Sequence, residues 1–453
     1  MESILRLRPP SPVVASRLPR LALVGLLTSA CSAPSSKSIS EEVGRPPNIL
    51  LYVVDALRPD SLGCYGNEEV DTPAVDALAR QGTLFENAFA QSSWTRPSMA
   101  TLLTGLYPGV HRVLDRQDQL AENLTLLPEI LRQHGYRTGF ITTNPNVGSF
   151  FGFDQGWDTL QELYQRTQKG HVLGRELITD SETVTQEAID WIDTVERPFF
   201  LMILAVDPHW PYRPSERFDR YTHGSTQEHE KVRGLYYGEV AANDDSFGKL
   251  VAYLRNRNLY DETTTVFTSD HGEEFWEHGK RGHGKSLYEE SLRVPLIIHS
   301  SSMAKGERID RPVQSVDLMP TLLAVAGLPI PPHLDGRSLV NAASSEVTPV
   351  FARLSLDNRN LAAIRDYPWK LIWDRDTEEK LLFNLAEDPG EQASVTSRYQ
   401  HVAEELTLRL SQHAAENLAR REFFTETESP ETVSEEAMPE NVRETLKALG
   451  YVQ

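Results

Sequence analysis

Seven residues, Asn48–Val54 (N-I-L-L-Y-V-V), narrow the architecture of this chain more than any other stretch. The run does not alternate apolar with polar, so it cannot lie on a sheet with one wet face. It suits a strand covered on both sides, as in a parallel sheet flanked by helices. It ends in an acid, Asp55. Two later runs repeat the design: Pro198–Val206 ends in Asp207-Pro208-His209, and Thr263–Ser269 ends in Asp270-His271-Gly272. Arg137–Thr143 and Val294–His299 read as further strands. Helical patterns fall between them over 72–81, 126–134, 181–195, 235–256 and 317–326. This alternation predicts an α/β fold with a mostly parallel sheet between helices. In open sheets of that kind, ligands bind at the carboxyl ends of the strands. Asp55, Asp207 with His209, and Asp270 with His271 are therefore expected to meet at one edge.

The pattern changes after about Thr348. Leu361–Asp366, Trp369–Trp373 and Lys380–Asn384 read as an antiparallel meander, followed by a helix over 399–416. We expect a catalytic α/β domain over 46–345 and a small α+β subdomain over 346–421. An acidic, flexible tail over 422–453 is expected to end in a helix. Residues 1–45 read as an address. Arg6, Arg8, Arg17 and Arg20 precede a short apolar run, Leu21–Leu27, which is too short to span a membrane. The following T-S-A-C resembles a bacterial lipoprotein signal. It implies lipidation of Cys31, a secreted or periplasmic location and anchoring to the bacterial envelope. Ordinary cleavage after Ala30 is the alternative. If Cys31 carries lipid, Cys64 has no disulfide partner, because the chain has only these two cysteines. The net charge of −20 argues against a nucleic-acid surface, and it means that an anionic substrate needs local cations or metal.

Ser92–Gly105 (S-S-W-T-R-P-S-M-A-T-L-L-T-G) predicts a helix, with Pro97 in its first turn and Gly105 as its stop. Thr95 then stands at the helix N-terminus, where free N–H groups and the dipole favour an anion. Taken alone, it is a capping threonine. Among Asp55, Asp270 and His271 it gains another role. Those three residues are candidate metal ligands, with Thr95 as a fourth. Mixed carboxylate and imidazole donors suit zinc or manganese, and calcium less well. A metal beside a threonine hydroxyl would ease its deprotonation and prepare it to attack phosphorus or sulfur. His209, His278, His283 and Lys285 form a second group, able to hold oxygens of the transferred group or to protonate the leaving oxygen. Arg96 is a candidate contact to the same oxygens.

Several ordered strings carry a family resemblance: N-I-L-L-Y-V-V-D-A-L-R-P-D-S-L-G-C-Y-G, T-R-P-S-M-A-T-L-L-T-G-L-Y-P, D-P-H-W-P-Y, T-S-D-H-G-E-E-F and L-Y-E-E-S-L-R-V-P-L-I-I. They resemble the sulfatase branch of the alkaline phosphatase superfamily from about Pro47 to Ala393, and W-K-L-I with L-F-N-L-A-E-D-P-G-E resembles its C-terminal subdomain. The resemblance implies metal ligands at Asp55, Asp270 and His271. It implies Thr95 as nucleophile and ligand, and substrate or leaving-group contacts at His209, His283 and Lys285. His278 fits the second histidine of the D-H-G…H-G pattern. One divalent metal is expected, and a second on Asp207 with His209 or His283 is allowed.

The same motif departs from the family. Sulfatases use C/S-x-P-x-R, whose first residue becomes formylglycine. Here Thr95 takes that position and Met99 takes the arginine's. No formylglycine is expected, and Asp55 is followed by Ala56 where the family has an aspartate pair. A threonine ester must be resolved by water or an alcohol at phosphorus or sulfur. We therefore expect a metal-dependent hydrolase of small-molecule, glycan or lipid esters, with phosphate mono- or diesters favoured. The alternatives are a sulfatase proper, transfer to an envelope lipid or glycan alcohol, and an inactive binding protein.

Overall fold

The computed structural model describes residues 45–165, 180–222, 226–344, 346–424 and 432–451. The leader and Cys31 lie outside the described residues. Pro46–Gln453 forms one compact unit.

Its centre is a sheet of eight strands. In chain order these are β1 (Asn48–Val54), β2 (Thr83–Phe89), β3 (Arg137–Thr142), β4 (Thr159–Glu162), β5 (Phe199–Ala205) and β6 (Thr263–Ser269). A short ribbon of β7 (Glu274–Phe275) and β8 (Arg281–Gly282) precedes β9 (Arg293–His299) and β10 (Glu307–Gln314). The spatial order is β10-β2-β9-β6-β1-β5-β3-β4, and only β9 runs against the rest. All seven residues of β1 are buried. Ile49, Leu51 and Val53 face a core shared with Met99, Leu103 and Leu322, from the helices Thr95–Thr104 and Leu318–Val325. Leu50, Tyr52 and Val54 face the other core, with Val184 and Phe247 from the helices Ser181–Thr194 and Glu228–Asn256. The missing alternation in β1 is thus the mark of a strand with helices on both sides. Each large apolar side chain so buried contributes about 1.5–3 kcal/mol.

Register places the site. Val54 pairs with Ala205 of β5 on one side and Ser269 of β6 on the other. The three strands end level, so the residues that follow emerge side by side.

Several elements differ from the sequence reading. β4 (T-L-Q-E) and β10 (E-R-I-D-R-P-V-Q) are edge strands with much polar surface, which hid them. The helix Glu228–Asn256 begins seven residues before Leu235, because its first turns are polar and cover the surface only in part. The C-terminal sheet has four antiparallel strands, β11 (Val350–Leu356), β12 (Arg359–Asp366), β13 (Trp369–Asp374) and β14 (Lys380–Asn384), and its first strand was not anticipated. Asp357-Asn358, both at positive φ (51° and 59°), make the tight turn between β11 and β12. The helix Gln400–Arg421 covers this sheet through Ala403, Leu406 and Leu410. A helix over Glu440–Ala448 closes the chain.

Candidate active site

Asp55 and Asp270 emerge from β1 and β6, with His271 next to Asp270. One donor atom from each of the three lies within 4.8 Å of the others. His271 Nε2 is 3.5 Å from Asp55 Oδ1 and 3.4 Å from Asp270 Oδ2. His271 Nδ1 is 2.8 Å from the Gly272 carbonyl, which can only accept, so the ring proton sits there. Nε2, the other ring nitrogen, faces two carboxylates. Asp55 Oδ1 and Asp270 Oδ2 are buried and have no hydrogen-bond partner. The opposite oxygens are held in place. Asp55 Oδ2 accepts from Asn144 Nδ2 at 2.7 Å, and Asp270 Oδ1 accepts from the backbone of Ala56 and His271 at 3.2 and 2.9 Å. Burial first, then the charge of Asp270, pushes the Asp55 carboxyl well above the usual carboxylate range. A divalent cation among three aimed, mutually repelling acceptors reverses that penalty, so the residues fit a metal. Ala56 takes a left-handed backbone, φ 59°, to bring its N–H onto Asp270. For a residue with a Cβ, that conformation costs about 1–2 kcal/mol and marks a site held in place by its surroundings.

Thr95 is the first residue of its helix, and Trp94 is the cap, with no side-chain capping bond. The Thr95 hydroxyl is therefore not a helix cap. Its Oγ1 lies 3.3 Å from His271 Nε2 and 2.9 Å from the hydroxyl of Tyr451. Met99 faces the core, fully buried, on the same helix.

Tyr451 is the meeting point of the site. Its hydroxyl is also 3.0 Å from His209 Nε2 and 3.1 Å from His283 Nε2. His209 Nδ1 is bound to the Trp210 carbonyl, and His283 Nδ1 to Glu273 Oε1 at 3.2 Å. Both Nε2 atoms therefore present lone pairs to one phenol. Burial lowers the His209 pKa to about 3, helped by His283. Burial, then His271 and Lys285, also holds His283 well below its ordinary value. Glu273 is fully buried and receives the Tyr212 hydroxyl at 2.8 Å. Lys285 stands at the mouth, its Nζ on the Arg281 carbonyl. It lines a cavity of about 320 Å³ with Arg116, Arg281, Arg359, His283 and Tyr451.

Three expectations are corrected. Arg96 points away from Thr95: its donors reach the carbonyls of Asn146, Arg116 and Asp118 and the Asn146 side chain, and its guanidinium lies over the Phe151 ring. It is a clamp between loops and not a substrate contact. His278 binds Glu290 Oε1 at 2.6 Å and the Glu391 carbonyl at 3.1 Å, and it stacks on Tyr288. It ties the ribbon to the C-terminal region and not to the substrate site. Asp207 Oδ2 is used by the Ser181 N–H and hydroxyl at 2.8 and 2.9 Å, so it is tied to the first residue of the helix Ser181–Thr194 and is not arranged for a second metal. Asn144, Glu273 and Tyr451 were missed. Asn144 follows β3 at the same edge and could have been found by the rule that found Asp55. Glu273 lies inside the D-H-G-E-E string. The terminal helix before Tyr451 was anticipated, but nothing in the sequence tied its phenol to this site.

The large sheet and the small second sheet are the fold of ester hydrolases of the alkaline phosphatase superfamily. The phosphonate monoester hydrolase of Agrobacterium radiobacter superposes with a TM-score of 0.69 at 24% identity, over 87% of this chain and 100% of that one. The "Sulfatase" family model matches residues 47–328, and the "N-sulphoglucosamine sulphohydrolase, C-terminal" model matches 277–416. The chain belongs to the sulfatase family, whose members are metal-dependent ester hydrolases. Among curated relatives, Arylsulfatase K of Mus musculus is 25% identical over 463 residues, 86% of this chain and 83% of its own. Iduronate 2-sulfatase of Mus musculus is 28% identical over 426 residues, 72% of this chain and 76% of its own.

Proposed function

We propose that this ester hydrolase works by in-line attack of Thr95 Oγ1 on a phosphate or sulfate ester, with phosphate mono- or diesters favoured. One observation carries the reading: a hydroxyl that its own helix does not use touches the imidazole of the Asp55–Asp270–His271 cluster. Those three residues, with Thr95 beside them, would hold one manganese, zinc or calcium ion. When bound, the ion supplies positive charge that favours the alkoxide and offsets charge on the transferred group. The Thr95 oxygen forms a bond to phosphorus or sulfur as the bond to the alcohol breaks. His209 and His283 face that point with Nε2 and can relay the hydroxyl proton to the leaving oxygen. Glu273 fixes the His283 ring, and Lys285 at the mouth draws in the anion. Water then cleaves the threonine ester, because a threonine lacks the geminal hydroxyl through which formylglycine expels sulfate. A sulfatase proper is the second reading, and the names of the curated relatives favour it. Export with lipid on Cys31 is part of the same proposal, and loss of fatty-acid labelling in Cys31→Ala checks it.

The experiment compares aryl phosphate, phosphodiester, phosphonate and sulfate side by side, with manganese, zinc or calcium and with Thr95→Ala as control. Faster sulfate turnover than any phosphoester overturns the phosphoester preference. Undiminished turnover by Thr95→Ala overturns the nucleophile. Turnover that requires an added alcohol assigns transfer instead of hydrolysis.

A further inference from the structure

The Tyr451 hydroxyl lies within 3.1 Å of Thr95 Oγ1, His209 Nε2 and His283 Nε2 at once. An ester attacked by Thr95 must place its reacting atom about 3–3.5 Å from that oxygen. It would share its oxygens with the same two imidazoles. Phenol and substrate therefore need the same space. We infer that the C-terminal segment, Thr432–Tyr451, is an internal ligand of the reaction centre, with the phenol in the place of a substrate oxygen, and that substrate binds by displacing it. The inference rests on Thr95 marking the reaction centre.

The local sequence aims the phenol inward. The helix Glu440–Ala448 ends with the Gly450 N–H on the Lys447 carbonyl at 3.0 Å and the Tyr451 N–H on the Leu446 carbonyl at 2.8 Å. Gly450 is at φ 82°. This is a Schellman turn, and it fixes the direction of the next side chain. The Tyr451 ring then stacks on His209, 5.4 Å between centroids and 28° between planes. Arg116, itself held by Asp357 at 2.7 Å, donates to the Tyr451 carbonyl.

The segment is anchored along its length: Val442, Leu446 and Leu449 are buried in the main core, and a few backbone bonds hold its start. Val433 N–H bonds to the Gln117 carbonyl at 2.8 Å, and Thr432 bridges to Asp118. Beneath it lies a cavity of about 510 Å³, lined by Arg96, Asn146, Met438 and Leu446 among others. The segment roofs this space without filling it.

The test uses the full chain and orthovanadate, a probe of the anion site that needs no turnover. Tyr451→Ala should bind orthovanadate about tenfold tighter than wild type, because the competing state is gone. Tyr451→Phe, which keeps the ring, should gain less. In wild type, orthovanadate should speed hydrogen exchange of amides 440–451. Equal or weaker binding by both variants overturns the inference, and weaker binding would make the phenol a substrate-holding group. No binding to Tyr451→Ala also overturns it. A failure of Thr95 chemistry would show instead as turnover retained in Thr95→Ala.

A second inference stands on a separate cavity of about 60 Å³, between the helix Gln400–Arg421, the strands β11–β13 and Tyr107–Gly109. Arg353, Arg375 and Arg421 line it, and no carboxylate does, in a chain of net charge −20. Two donors there, Arg353 Nε and Trp373 Nε1, are buried without an acceptor. Guanidinium forks match tetrahedral oxyanions. The geometry points to a binding site for inorganic sulfate or phosphate, separate from the reaction centre. Sulfate or phosphate should raise the melting temperature of wild type and Thr95→Ala alike. The doubly substituted Arg353→Gln, Arg375→Gln chain should lose that rise while keeping turnover within about twofold, which shows that it is folded. A rise that persists in the double variant, or is absent from wild type, overturns the assignment. So does a turnover loss equal to the binding loss, which would place the site in the reaction itself.

Discussion

The two groups that touch Thr95 Oγ1 are supported in opposite ways. His271 follows β6, a strand buried along its whole length and bonded to neighbours on both sides. Tyr451 follows a nine-residue helix that buries Val442 and Leu446 in the core yet borders a cavity. The first arrangement can hold repelling acceptors at fixed separations, because moving one means unpacking a core. The second, on the displacement proposed above, exchanges with substrate. The candidate metal ligands are built on the sheet edge, and the proposed control of access lies in the segment 432–451.

The largest expected effect separates the nucleophile from everything around it. Thr95→Ala should lower kcat by on the order of 10³-fold or more, with metal affinity reduced far less. Thr95→Ser should retain measurable turnover. Steady-state kinetics on the preferred aryl ester checks both. Next, Asp270→Asn should weaken manganese binding by about 100-fold, since it neutralises one of two aimed carboxylates. No substitution in the segment 432–451 should do so. Calorimetric titration decides this, and a large loss of metal affinity in Tyr451→Ala would break the division between scaffold and segment.

Packing gives a third contrast. Leu103→Ala, in the core beneath the Thr95 helix, should cost about 2–5 kcal/mol of global stability. Leu446→Ala removes an equally buried side chain, 2% exposed. Its cost should fall on the segment alone, as faster exchange of amides 440–451 with little change in melting temperature. Equal losses of melting temperature would show that the segment is part of the cooperative core.

The same contrast explains what the sequence revealed. Asp55 and Asp270 were legible because continuous apolar runs can only be central strands, and level strand ends bring their next residues together. Arg96 and His278 were misread because chemical aptness says nothing about direction. Arg96 is adjacent to Thr95, yet the helix turns it about 100° away, toward carbonyls that use its donors. β4 and β10 carry too much polar surface to show as strands. Tyr451 lies 356 residues from Thr95. Its only local mark is the L-G-Y turn after a short amphipathic helix, which aims a side chain without naming its target.

The smallest predicted effect again falls on the scaffold. His111 lies under the Thr95 helix, almost fully buried, with Nε2 3.0 Å from Thr101 Oγ1 and Nδ1 accepting the Val113 N–H at 3.1 Å. A ring that accepts at Nδ1 must be neutral, and protonation there would set two N–H groups against each other. Burial accordingly lowers its pKa to about 3. The unfolded chain binds that proton near pH 6.5, whereas the folded chain does not. Stability is therefore level above about pH 6.5 and falls as the pH drops toward 3, by on the order of 1–2 kcal/mol at pH 5. The segment 432–451 contains no histidine, so this loss should register in global melting and not in selective release of the segment. His111→Gln, which can donate to Thr101 and accept from Val113, should make the fall in melting temperature between pH 6.5 and 5 shallower, the remainder belonging to buried imidazoles such as His209 and His283. An unchanged slope in that variant would assign the acid sensitivity to the reaction-centre imidazoles, and so to the contact between scaffold and segment.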